Sequence, residues 1–289
     1  MRVANVDNRA HLVVRAADGS DVLVDVSTAS EGRFGPTPHA VYDNWDAFVA
    51  WATEADPDAR TGTVVDRSTL SAPSPEPRQV FAIGLNYDEH AAESGFEAPT
   101  ELPPTFTKYV SSFTGPDTEV VIPSGGNVDW EVELVAVVGR RAYRISEDEA
   151  WDHLAGVTVG QDLSERITQL RGPAPQFGLG KSYPGFSPQG PYLITPDELS
   201  GRDDLEIGCR IDDEVVQCGR TKEMIFDVPA LIAKLSENVT LYPGDVIFTG
   251  TPAGVGLGRE PKRFLQPGET LHTWIEGVGE MTQRFVSAT

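Results

Sequence analysis

Three carboxylates stand at every second position at the start of residues 128–139, VDWEVELVAVVG: Asp129, Glu131 and Glu133. Successive side chains of a strand point to opposite faces, so these three share one face, and Trp130, Val132 and Leu134 share the other. Like charges at that spacing repel one another. A hard divalent cation bound by carboxylate oxygens would balance them; so would a solvated face on an edge strand. Further on, GVTVGQD ends in Asp162. The helix SEDEAWDHL between the two strands returns the chain, which brings Asp162 level with Glu131 and Glu133. Three carboxylates on two adjacent strands form a half-shell suited to Mg2+ or Mn2+. Zinc suits them less, because neither a cysteine nor a His pair accompanies them.

Upstream, GLNYDEHAAESG holds His90 and Glu93 three apart, neighbours on one face if the segment is helical. A carboxylate that accepts from one imidazole nitrogen makes the other more basic, as a general base requires. A solvated surface pair has the same spacing. Residues 93–103 are polar, small and broken by Gly and Pro, the composition of a mobile loop or lid. Downstream, FGLGKSYPGFSPQGP contains Lys181, one of only five lysines. Its GKS is no phosphate loop, because Pro175 stands where that motif needs glycine. Neither a G-x-S-x-G elbow nor a strand-linked G-x-G-x-x-G occurs. The turn FTGTPAGVGLG offers backbone N–H groups and the Thr251 hydroxyl as a cradle for a carboxylate; such glycines also build plain tight turns.

The elements that must position these groups are mostly strands. VFAIG, EVELVAVVG, GVTVGQD, LEIGCRID and GDVIFTG read as strands punctuated by Gly and Pro, which predicts a β-dominated α+β domain. SEDEAWDHL opens with a capping box, Ser146 to Glu149. DVPALIAKLSENV has Asp227 as cap and Pro229 in its first turn. Residues 1–72 read as a small α/β unit, with strands at AHLVVRA and VLVDV and a helix at NWDAFVAWATEA capped by Asn44. SAPSPEPRQ then reads as an extended linker, so the expected division is 1–72 and 73–289. The hairpin CRIDDEVVQC sets Cys209 and Cys218 nearly opposite each other, and reduced thiols are expected.

With a formal net charge of −21, the chain is a poor partner for nucleic acid or an anionic membrane. No apolar run reaches the roughly 18 residues of a membrane helix. The first residues lack a signal peptide's apolar block, so a cytoplasmic location is expected.

Taken in order, the chain reads G-x-N-Y-x-x-H-x-x-E, F-x-K, E-x-E-L, Q-D-x-S-x-R, G-K-S and G-T-P-x-G-V-G. Over residues 78–285 this resembles the fumarylacetoacetate hydrolase family. The resemblance implies a mixed β-roll behind a small N-terminal domain, a homodimer, and Mg2+ or Mn2+ held by Glu131, Glu133 and Asp162. It implies that His90 and Glu93 activate water on a lid. It implies that Lys181 acts on the substrate, with Tyr87, Lys108, Arg166, Gln169 and Thr251 around it. Asp129 falls outside the implied ligand set. Tyr109 and Tyr183-Pro184 depart from the family pattern on the substrate side. The implied chemistry is metal-dependent hydrolysis of a carbon–carbon bond in an acylpyruvate-type oxo acid; the same site also serves 2-hydroxyhepta-2,4-diene-1,7-dioate isomerisation or oxaloacetate decarboxylation. A non-catalytic metal-binding scaffold is the remote alternative.

Overall fold

The computed structural model describes residues 1–55, 62–93, 95 and 97–288. Among these, a twelve-stranded mixed sheet and a five-stranded mixed sheet hold most of the strands, so the fold is the β-dominated α+β roll expected. The strand Val132–Val138 runs through the middle of the larger sheet, antiparallel to both Leu154–Gln161 and Val246–Phe248. Every residue in it is buried.

Strand alternation divides its contacts. Val132, Leu134, Ala136 and Val138 join Trp130 in the core shared with Ile207, Leu271 and Phe285 of the smaller sheet. Val135 and Val137 face the other way, into a cluster with Tyr42, Trp45 and Phe48 from the N-terminal helices Pro38–Tyr42 and Trp45–Ala55. Gly139 closes the strand where any Cβ would meet the Trp45 ring at 2.8 Å. The carboxylates therefore lie on the face that the N-terminal helices cover further along, and no edge is exposed. The solvated reading of this acidic face does not hold: Asp129, Glu131 and Glu133 are 0%, 5% and 1% exposed.

The expected boundary at residue 72 marks a change of composition without a break in the sheet. Arg2–Val6 pairs with Ser187–Ile194, so the N-terminal strands extend the larger sheet. The first half of SAPSPEPRQ is fastened to the fold. Asn5 Nδ2 donates to the Ala72 carbonyl at 2.8 Å, the Tyr42 hydroxyl to that of Pro73 at 3.1 Å, and the Ser74 hydroxyl to that of Gly244 at 2.7 Å.

The helices Glu147–His153 and Val228–Asn238 form where the caps predict and pack together. Glu149 accepts from the Ser146 N–H at 2.9 Å, and Asp227 accepts from the Ala230 N–H at 2.9 Å. Asn44 does not cap its helix; its amide donates back to the Ala40 carbonyl at 3.1 Å. The Cys209–Cys218 hairpin forms one residue out of the register expected. Cys209 pairs with Gln217 and Gly208 with Cys218. The two free thiols thus take opposite faces, one buried and one exposed, and cannot bridge. Among the described residues, no helix is long and apolar enough to cross a membrane.

Candidate active site

The acidic strand bends before it enters the sheet. Val128–Asp129 pairs with Ser164–Glu165, whereas Val132–Val138 pairs with Leu154–Gln161. At the bend, side-chain amides replace ladder partners: the Glu131 N–H donates to Gln161 Oε1 at 2.9 Å and the Val132 N–H to Gln217 Oε1 at 3.0 Å. The Asp162 N–H donates to the Glu131 carbonyl at 2.9 Å, which sets the two residues side by side. One ligand atom from each of Glu131, Glu133 and Asp162 lies within 4.8 Å of the others.

Cations thread this cluster. Lys181 Nζ donates to Glu131 Oε2 at 2.6 Å and Asp162 Oδ2 at 2.7 Å. Arg166 Nη2 lies 2.7 Å from Asp129 Oδ2 and 2.8 Å from Glu131 Oε1. Lys108 Nζ donates to Asp162 Oδ1 and to the Lys181 carbonyl. The result is an alternating buried chain: Lys108, Asp162, Lys181, Glu131, Arg166, Asp129. Glu133 stands outside it, and its Oε2 accepts from the Gly250 N–H at 2.7 Å. The charge states differ accordingly. Burial pushes the Glu131 carboxyl up, but Lys181 and then Arg166 outweigh it and hold the group down at about 2. Burial, then the charges of Asp162 and Glu131, push the Glu133 carboxyl well above the ordinary range. Three hard oxygen donors, of which Glu133 has no ion-pair partner among the described residues, match a divalent cation of the Mg2+ type. The lysine-bonded oxygens each retain a lone pair for such an ion.

His90 lies on the short helix Asp88–Glu93, and its Nδ1 is 2.8 Å from Glu93 Oε1. Of the loop expected over residues 93–103, Ser94 and Phe96 lie outside the described residues. The glycine-rich turn differs from its expected use. Its N–H groups serve the protein's own carboxylates: Gly250 donates to Glu133, Gly254 to Glu93, and Gly256 and Leu257 to Asp129. No cradle of free N–H groups remains at these four positions for a ligand.

A cavity of 280 Å³ joins the parts, with His90, Glu131, Glu133, Arg166, Gln169, Lys181 and Thr251 among its lining residues. Tyr87 and Lys108, expected beside the substrate, do not line it. Lys108 turns behind the carboxylates, its side chain fully buried. The Tyr87 hydroxyl is buried without a hydrogen-bond partner among the described residues. The six apolar lining residues Ile83, Leu85, Phe106, Leu170, Phe177 and Leu257 are absent from the sequence-based set. Phe106 carried a signal as the aromatic residue of F-x-K, and Phe177 as an aromatic neighbour of G-K-S.

A family model described as the C-terminal part of fumarylacetoacetate (FAA) hydrolase matches residues 79–286. The chain belongs to the fumarylacetoacetate hydrolase family. Within it, the chain is 43% identical over 219 residues to a mitochondrial oxaloacetate tautomerase of Homo sapiens, covering 75% of this chain and 69% of that one. It is 44% identical over 208 residues to a 2,4-didehydro-3-deoxy-L-rhamnonate hydrolase of Sphingomonas sp., covering 71% and 72%. The solved structure of an HpcE-type protein from Mycobacterium smegmatis superposes with a TM-score of 0.90 at 58% identity, each chain covered in full. Members of the fumarylacetoacetate hydrolase family similar to this chain are enzymes, among them hydrolases, isomerases and tautomerases.

Proposed function

We propose that the protein cleaves a carbon–carbon bond of acylpyruvate-type 2-oxo acids by hydrolysis, with Mg2+ or Mn2+ held by Glu131, Glu133 and Asp162. A bound cation would polarise the 2-oxo group and stabilise negative charge that develops on it. The observation that carries this reading is the set of uncommitted groups on one cavity. Lys181 has three donors, of which two serve Glu131 and Asp162. The Gln169 Oε1 accepts from Arg166, which leaves its NH2 for a ligand. The Thr251 hydroxyl accepts from Gln217 and keeps its own proton to donate. These three donors suit the carboxylate and oxo oxygens of the substrate.

Glu93 requires an Nδ1–H on His90, so Nε2 is the basic nitrogen. His90 takes a proton from water, whose oxygen adds to the acyl carbonyl. The bond from that carbon to the neighbouring CH2 breaks, and its electron pair goes to the CH2 carbon. Protonation there by His90 yields pyruvate beside the free acyl carboxylate. Asp129 and Lys108 hold Arg166 and Asp162 in place from behind the cavity, and Arg166 lines it beside Glu131.

The relative that is an oxaloacetate tautomerase favours a second reading, in which a proton moves on the enolate and no water attacks. An assay of acylpyruvates and of oxaloacetate, with and without Mg2+, separates the two. Metal-dependent release of pyruvate from acylpyruvates supports hydrolysis; tautomerisation of oxaloacetate alone replaces it.

We also propose a homodimer. Tyr109, Val110, Ile167, Leu170 and Leu179 are half of the large hydrophobic side chains exposed among the described residues. Their segments adjoin: the Tyr109 N–H donates to the Ser182 hydroxyl at 3.0 Å, and residues 166–169 pack on 177–180. Such patches mark association surfaces. A monomeric mass by sedimentation would remove this proposal.

A further inference from the structure

Lys181 bridges two of the three carboxylates that a cation would use. Its Nζ donates to Glu131 Oε2 at 2.6 Å and to Asp162 Oδ2 at 2.7 Å. The other oxygens of these two groups also meet cations. Arg166 Nη2 lies 2.8 Å from Glu131 Oε1, and Lys108 Nζ donates to Asp162 Oδ1. Each oxygen of Glu131 and Asp162 thus already carries a positive partner. Glu131, Asp162 and Lys181 are all buried. A carboxylate left unpaired there would be heavily penalised, so some cation must serve the pair at all times.

The three cations are not fastened alike. Lys108 also donates to the carbonyls of Lys181 and Phe186, behind the carboxylates. Arg166 also donates to Asp129 Oδ2 at 2.8 Å and to Gln169 Oε1 at 2.9 Å. Among the described residues, Lys181 Nζ has no acceptor besides the two carboxylates. Its further neighbour is the Phe106 ring, 5.1 Å to the centroid, a weak hold on a cation. Lys181 also lines the cavity. It is the cation that an incoming ion meets with least to hold it in place.

Glu131 Oε2 and Asp162 Oδ2 each keep a lone pair, so geometry does not shut an ion out. Charge opposes it. An ammonium and a divalent cation on the same oxygens repel each other, and burial leaves that repulsion weakly screened.

Resting on the metal site of the proposed function, we infer that Lys181 stands in for the cation in the metal-free protein and opposes its binding. The ammonium keeps Glu131 and Asp162 paired until the ion arrives. The ion then wins their oxygens against it. A neutral side chain at position 181 therefore makes the metal-free protein less stable and the metal site tighter. The same exchange loosens Lys181 from the carboxylates and frees its donors for an anionic substrate.

The test compares wild type with Lys181→Met, which keeps the chain length without the charge, and Lys181→Gln, which keeps two N–H donors without it. Mg2+ binding is read by titration calorimetry in the absence of substrate, and stability by thermal melts with and without Mg2+. Without the ion, both variants should melt earlier than wild type. They should bind Mg2+ at least about tenfold more tightly, since the opposing charge is gone. Their melting midpoints should also rise further on adding Mg2+, because the ion binds only the folded state. A variant that folds only with Mg2+ supports the inference in the same way. Mg2+ affinity equal to or weaker than wild type in either folded variant overturns it and leaves the metal site standing. Failure of both variants to fold at saturating Mg2+ also overturns it, since the ion then does not replace the lysine. Absence of Mg2+ binding from wild type and variants alike removes the metal site and the inference together.

Discussion

The Gly254 N–H points between the two carboxylate oxygens of Glu93, at 2.9 and 3.1 Å. This contact spans 161 residues and fixes the partner of His90 from the glycine-rich turn. Gly254 has a φ of 110°, and a Cβ on it would lie 2.2 Å from the Val216 carbonyl oxygen. Gly254→Ala should therefore lose at least about 1–3 kcal/mol in denaturant melts and release Glu93, with cleavage falling in step. Gly125→Ala is the control. It shares a positive φ of 70° but has open space around it, so it should lose stability while keeping activity.

Glu133→Ala should abolish Mg2+ binding measured by titration calorimetry. Glu133 is the member of the three without an ion-pair partner among the described residues, and a bound cation would take the place of the proton that its raised pKa retains. Wild-type affinity in the variant would sink the metal assignment. Asp129→Asn, whose carboxylate serves Arg166 and the N–H groups of Gly256 and Leu257, should bind Mg2+ but melt earlier.

His90→Ala and Glu93→Gln should each reduce acylpyruvate cleavage by about a hundred- to ten-thousandfold, the usual consequence of losing a general base. Mg2+ affinity and oxalate binding should stay near wild type. Cleavage by His90→Ala at the wild-type rate would replace hydrolysis with the tautomerase reading.

Lys181→Ala should damage both folding and ligand binding. It removes the shared cation from two buried carboxylates, Glu131 and Asp162, and breaking a buried pair costs about 3–5 kcal/mol. Saturating Mg2+ should restore much of the lost stability, because the ion binds only the folded state. Oxalate affinity should remain low even then. A variant as stable as wild type without metal would show that the buried chain of charges carries no such energy.

Local rules read directly from the sequence determined much of this protein. Period-two alternation put Glu131 and Glu133 on one face and Trp130, Val132 and Leu134 in the core. Three-residue helical spacing paired His90 with Glu93, and a strand–helix–strand return brought Asp162 level with Glu131. Each of these depends on repeats of 2.0 or 3.6 residues, which are written in neighbouring positions. Tertiary structure alone decided how each donor is used. Lys108 and Lys181 are alike as residues, yet one turns behind Asp162 and the other opens on the cavity. The N–H groups of Gly250, Gly254 and Gly256 looked free for a ligand, but carboxylates 117, 161 and 127 residues away take them. Cys209 and Cys218 face apart because their hairpin pairs one residue out of the expected register. The cavity brings Ile83, Leu85 and Phe106 together with Leu170, Phe177 and Leu257, which share no local pattern. Hydrogen bonds and cavities of this kind are set by groups far apart in the chain, and only the packed sheets bring those groups within reach of one another.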